Sequence, residues 1–119
     1  MAGAAYRRVT PRPLITDGDM SENITTDWVD VAGLNQITIH YKWSGTSPIG
    51  ELTVEADMSA PPHATANAYE VPVSPLAQID TDSGVDTIVL TGPLSRWRLK
   101  YTSTSGTGTI QSFWQGHQV

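Results

Sequence analysis

The chain has 119 residues, a net charge of −5 from twelve carboxylates against seven Lys and Arg, and no cysteine. That length fits one domain, and the lack of thiols excludes disulfides and thiolate metal sites. Hydrophobic residues make up 39% and charged residues 16%, and with abundant Thr, Ser and Gly this favours strands and turns over a helical bundle.

The charge is unevenly spread. Arg7, Arg8 and Arg12 lie in the first sixteen residues, which hold no acid, while the rest sets twelve carboxylates against Lys42, Arg96, Arg98 and Lys100, a balance of −8. An acidic body does not bind nucleic acid along its length. A basic arm fits an acidic partner surface or a neighbouring copy. The opening residues, Met1 to Arg8, have no apolar stretch after their charges, so no secretory signal is expected, and no run is long enough to span a bilayer.

In chain order, residues 1–13, with Pro11 and Pro13 around Arg12, read as an extended N-terminal arm ordered against a partner or the domain's own edge. Residues 14–119 read as the folded domain. Leu14 to Thr16 form a short strand, Asp17-Gly18-Asp19 a turn, and Ile24 to Val31 a second strand that buries Trp28 and Val31. Ile37 to Trp43 alternates apolar and polar with period two, as does Gly50 to Ala56, and Ser44-Gly45-Thr46 between them reads as a hairpin loop. The stretch from Met58 to Asn67 is a loop around Pro61 and Pro62. Tyr69 to Val73 is an edge strand, Ser74-Pro75 and Asp80-Thr81-Asp82-Ser83-Gly84 bracket a poorly patterned segment, and Asp86 to Leu90 is a strand. Arg96 to Tyr101 and Gly108 to Trp114 form a second hairpin closed by Ser105-Gly106-Thr107. About eight strands at this spacing predict an all-β, jelly-roll-like β-sandwich.

Chemistry is sparse. Asp80, Asp82 and Asp86 surround a glycine and offer oxygens to calcium, but the spacing departs from an EF-hand loop and suits a self-capped turn. His40, His63 and His117 lie in different elements with no metal-ligand spacing. Glu51 and Glu55 share a strand face, which suits a glycosidase pair only if that strand lines a cleft. No nucleophile elbow, phosphate loop or dinucleotide fingerprint occurs, so no enzyme and no cofactor are expected. Arg96, Arg98 and Lys100 form a basic row, read either as a docking surface or as cross-strand partners of Glu51 and Glu55.

Two segments resemble a known family. The run Trp43-Ser44-Gly45-Thr46-Ser47-Pro48-Ile49-Gly50-Glu51-Leu52-Thr53-Val54 and the later run from Arg96 to Thr109 are similar to segments of small structural proteins of tailed bacteriophages. The resemblance covers about half the chain from Ile37 onward, with a gap from Ala60 to Thr81. It implies a virion component of the capsid cement or decoration type, made in the host cytoplasm and bound to the major capsid protein and to copies of itself. It carries over no catalytic residues. On this reading Tyr6, Arg7, Arg8 and Arg12 of the arm, with Arg96, Arg98 and Lys100, make the partner contacts, and neither nucleic acid nor membrane is bound. The alternative is a carbohydrate-binding β-sandwich of a tail or spike device, with Trp28, Trp43, Trp97 and Trp114 to stack on sugars.

Overall fold

The computed structural model describes residues 8–31, 34–57, 69–70, 77–91 and 95–118, with side chains throughout except at 69–70. The described residues hold eight strands and no helix: β1 (Arg8–Asp19), β2 (Ile24–Thr25), β3 (Val29–Asp30), β4 (Gln36–Asp57), β5 (Tyr69–Glu70), β6 (Ala77–Ile79), β7 (Ser83–Thr91) and β8 (Arg96–His117). All belong to one antiparallel sheet.

The sheet is built on two long strands. β4 and β8 are 22 residues each and pair with one another from Gln36↔His117 to Asp57↔Arg96. Shorter strands flank them. β7 lies along the first half of β4 and β1 along the second half of β8. At the other end, β5 and β6 pair with β4, while β2 and β3 pair with β8.

The two Ser-Gly-Thr segments are therefore not hairpin loops. The alternation on either side of them is as expected, but the β4–β8 ladder continues through them and the segments lie opposite one another, Gly45 facing Gly108 and Thr46 facing Thr107. A two-residue hairpin turn requires positive φ at its central residues. Near these segments only Ser47 (φ 50°) and Gly106 (φ 83°) adopt it. Those two residues make bulges instead of reversals. After Thr46↔Thr107 the partners are Ile49↔Ser105 and then Gly50↔Ser103, so each strand in turn carries one extra residue. A bulge adds a residue while keeping the same face inward, so the inward positions change parity. Ile37, Ile39 and Tyr41 point inward before it, Leu52, Val54 and Ala56 after it. On β8 the inward set changes from Trp97, Leu99 and Tyr101 to Ile110, Ser112 and Trp114. Gly106 is needed here, because a Cβ on it would strike the Ser47 carbonyl.

Other boundaries also differ. β1 runs unbroken from Arg8 through Asp17-Gly18-Asp19, passing the expected turn as a register shift with Asp17 at φ 51°. Residues 8–13 lie on the domain's own edge, and Pro11 and Pro13 fit there because an edge strand can dispense with donors on its free side. The expected strand from Ile24 to Val31 is two short ones interrupted at residues 26–28, where Thr26 Oγ1 accepts the Leu99 N–H at 3.0 Å. β6 arises in the stretch that lacked pattern, because only Ile79 of its three residues is fully buried.

The core is one cluster drawn from both halves of the sheet, including Ile37, Ile39, Leu52, Val54, Trp97, Leu99, Ile110 and Trp114.

Candidate functional site

The basic row on β8 is paired across the ladder. Register places Arg98 opposite Glu55 and Arg96 opposite Asp57. Arg98 Nε donates to Glu55 Oε1 at 2.8 Å, Lys100 Nζ lies 3.8 Å from the same oxygen, and Arg96 reaches Asp57 Oδ2 at 3.1 Å. Both guanidinium groups also stack on Trp28, at 4.1 and 4.4 Å from its ring centre. The row forms a paired network of three cations on two carboxylates, with Asp57 completely buried (0% exposed). Trp28 and Asp57 belong to this network and were not legible as its members. Asp57 closes the apolar run of β4 with a carboxylate, and that is the only signal the sequence carried.

The basic edge is different. Arg8 and Arg12 stand exposed on β1, and among the described residues neither has a carboxylate partner. Tyr6 and Arg7 lie outside the described residues.

Asp82 and Asp86 do separate work, while Asp80 precedes them on the exposed turn after β6. Asp82 Oδ1 accepts the Ser47 N–H at 2.9 Å, and its carbonyl accepts the Gly45 N–H at 2.7 Å. Trp43 Nε1 donates to the neighbouring Thr81 carbonyl at 2.9 Å. This turn thus braces the bulge of β4. Asp86 hydrogen-bonds the Tyr41 hydroxyl, and burial together with that carboxylate pushes the phenol up to about 12. Asp86 also accepts the Thr87 N–H at 2.8 Å. Among the described residues no cluster of three His, Asp or Glu side chains is arranged to hold a metal. His40 meets Thr87 Oγ1 at 3.2 Å and His117 meets Gln36 Oε1 at 2.8 Å, each across its own ladder. His63 lies outside the described residues.

Three of the four indoles offer little to a sugar, and the fourth, Trp43, borders a groove on the outward face of the sheet. Trp97 and Trp114 are buried, the arginines cover Trp28, and Trp43 is half-buried and stacked on Tyr41 with ring centres 5.7 Å apart.

A further surface, not among the residues singled out from the sequence, lies on the outward face of β7, β4 and β8. Register sets Val85, Lys42 and Gln111 in one row, with Ser83, Ser44 and Thr109 in the row beside it. Phe113 stands next to them, and together they border a groove of about 680 Å³. Val85 is 79% exposed and Phe113 42%. The available signal was an apolar residue at the outward parity, beside inward Ser112 and Trp114 in one case and between Gly84 and Asp86 in the other.

No family model and no curated protein matches this sequence. Among solved structures, the SPBc2 prophage-derived protein YomS is similar in fold, with a TM-score of 0.54 and 13% identity over 97% of this chain and 98% of that one. At that identity the two share an all-β architecture from end to end, and the likeness assigns no role to any residue.

Proposed function

We propose that this chain is a bacteriophage structural protein of the capsid cement or decoration type. It acts by binding the major capsid protein across subunit junctions on the virion surface, and its doubled-over sheet serves as a jelly-roll-like β-sandwich. The observation that carries the reading is the end-to-end fold likeness to a prophage-derived protein. Two cations on the β1 edge with no carboxylate partner among the described residues support it. Arg8 and Arg12 are charges left over on an acidic chain, and they suit an acidic strip on a shell subunit. Arg96, Arg98 and Lys100 instead hold the domain together.

A protein that binds only the assembled lattice stabilises it by mass action, and many copies turn weak contacts into avidity. Quantitative mass spectrometry of purified particles is the test. Copy numbers near those of the major shell protein support cement. A few copies per particle would reassign the chain to a tail or spike, and its absence would end the virion reading. Reversing Arg8 and Arg12 to Glu should weaken binding to shells by roughly tenfold or more and leave the melting temperature nearly unchanged.

A further inference from the structure

We propose that the groove on the outward face of β7, β4 and β8 binds an acidic saccharide, with Lys42 holding its carboxylate or phosphate and Phe113 and Val85 packing on its ring faces. This second activity does not rest on the capsid reading.

The argument begins with charge. The β8 cations are each matched to Glu55 or Asp57, whereas Lys42 has no carboxylate within ion-pair distance among the described residues. It projects from the middle strand of the face, between Val85 on β7 and Gln111 on β8. Asp86, the acid nearest in sequence to that row, is opposite Tyr41, an inward position, and its carboxylate is bonded there. Lys42 is the one charged residue among the described lining of the groove, and the carboxylate at its rim, that of Asp17, is engaged by Gln111, so an anion in the groove meets a cation with no ion-pair partner among the described residues.

The lining narrows the ligand further. Hydroxyl groups from Ser44, Ser83 and Thr109 line one side, and the exposed ring of Phe113 lines the other. Sugars present this same pairing of hydroxyl edge and apolar ring face. The rim is also fixed in place. Gln111 exchanges hydrogen bonds with Asp17, accepting its N–H at 3.0 Å and donating to its carboxylate, which ties β1 beside the groove. A volume of about 680 Å³ lies within the range of small-ligand sites.

An acidic peptide is the competing occupant, and the sheet is poorly made for one. Peptides that bind sheets add a strand at a free edge and use its backbone donors. The β1 edge has Pro11 and Pro13, and on β7 the Thr87 N–H is taken by Asp86. What remains is a face of isolated side-chain groups, suited to a compact polyhydroxylated anion.

The test is titration of the ¹⁵N-labelled chain at low salt with trigalacturonate and with sialyllactose, using neutral maltotriose as the comparison. The expected result is millimolar binding of at least one acidic saccharide, with amide shifts confined to residues 42–44, 83–85 and 109–113. Lys42→Gln should weaken that binding by about tenfold, and Lys42→Arg should keep it within about threefold. Phe113→Ala should lower it by roughly fivefold. The proposal fails if neither acidic saccharide shifts these amides, if maltotriose binds equally well, or if Lys42→Gln leaves the affinity unchanged. Particle composition has no bearing on any of these outcomes, so the two readings can fail separately.

Discussion

Trp97 and Trp114 lie on the same strand, seventeen residues apart, yet their rings meet edge to face with centres 5.8 Å apart. A straight strand would separate them by about 56 Å. Their contact shows that β8, with β4 beside it, doubles back so that the two halves of the sheet share one core. Trp97→Ala should cost about 3–5 kcal/mol in denaturant unfolding. Among the described residues its buried indole N–H has no hydrogen-bond partner, so Trp97→Phe removes an unsatisfied donor along with the volume. The Phe variant should lose less than half as much stability as the Ala variant.

The fold-back depends on bracing at the bulge. Ser47 holds positive φ, and its N–H is bonded by Asp82. Asp82→Ala should cost roughly 1–2 kcal/mol, since the bond is charge-assisted but exposed. Ser47→Gly should be neutral or stabilising, because glycine adopts that φ without strain. If Ser47→Val were equally tolerated in thermal melts, the bulge would not need its special backbone.

The buried ion pair gives a different signature. Asp57 is fully buried against Arg96, whose side chain is 13% exposed. Asp57→Ala leaves the guanidinium without its counter-charge and should cost about 3–5 kcal/mol. Replacing both with apolar residues of similar size should cost much less than the two single changes combined. A double-mutant cycle in urea measures the coupling, and simple additivity would show that the two side chains contribute independently and not as a pair.

Alkaline stability should depend on Tyr41. Its phenol titrates ordinarily near 10 but is held up to about 12 in the folded chain, by burial and by Asp86. Above pH 10 the unfolded chain has lost that proton while the folded one keeps it, so stability falls as pH rises toward 12 and is unaffected by this group below 10. Tyr41→Phe should therefore lose less stability over that interval than the parent. Equal slopes in the two proteins would remove the assignment.

Part of the candidate surface was readable early. The sequence allows two readings of the row Arg96, Arg98 and Lys100, a docking surface or cross-strand pairing with Glu51, Glu55 or another acidic strand, and it does not single out Glu55, which the register sets opposite Arg98. The groove was not foreseen. Lys42, Val85 and Phe113 come from three strands and meet only because β4 separates β7 from β8, a neighbour relation that alternation within a strand does not encode.

By itself the sequence determined the local terms: strands wherever polarity alternates, the residues that face inward on each run, and a surface whose charge is acidic apart from a few basic positions. Tertiary structure decided the rest. Whether Ser-Gly-Thr reverses the chain or lets it pass depends on φ at Ser47 and Gly106, and those angles are set by the facing strand and by Asp82, reached across 35 residues of sequence. The period-two pattern survives either outcome unchanged, since a hairpin and a bulge both keep the apolar face inward, and only long-range pairing distinguishes them.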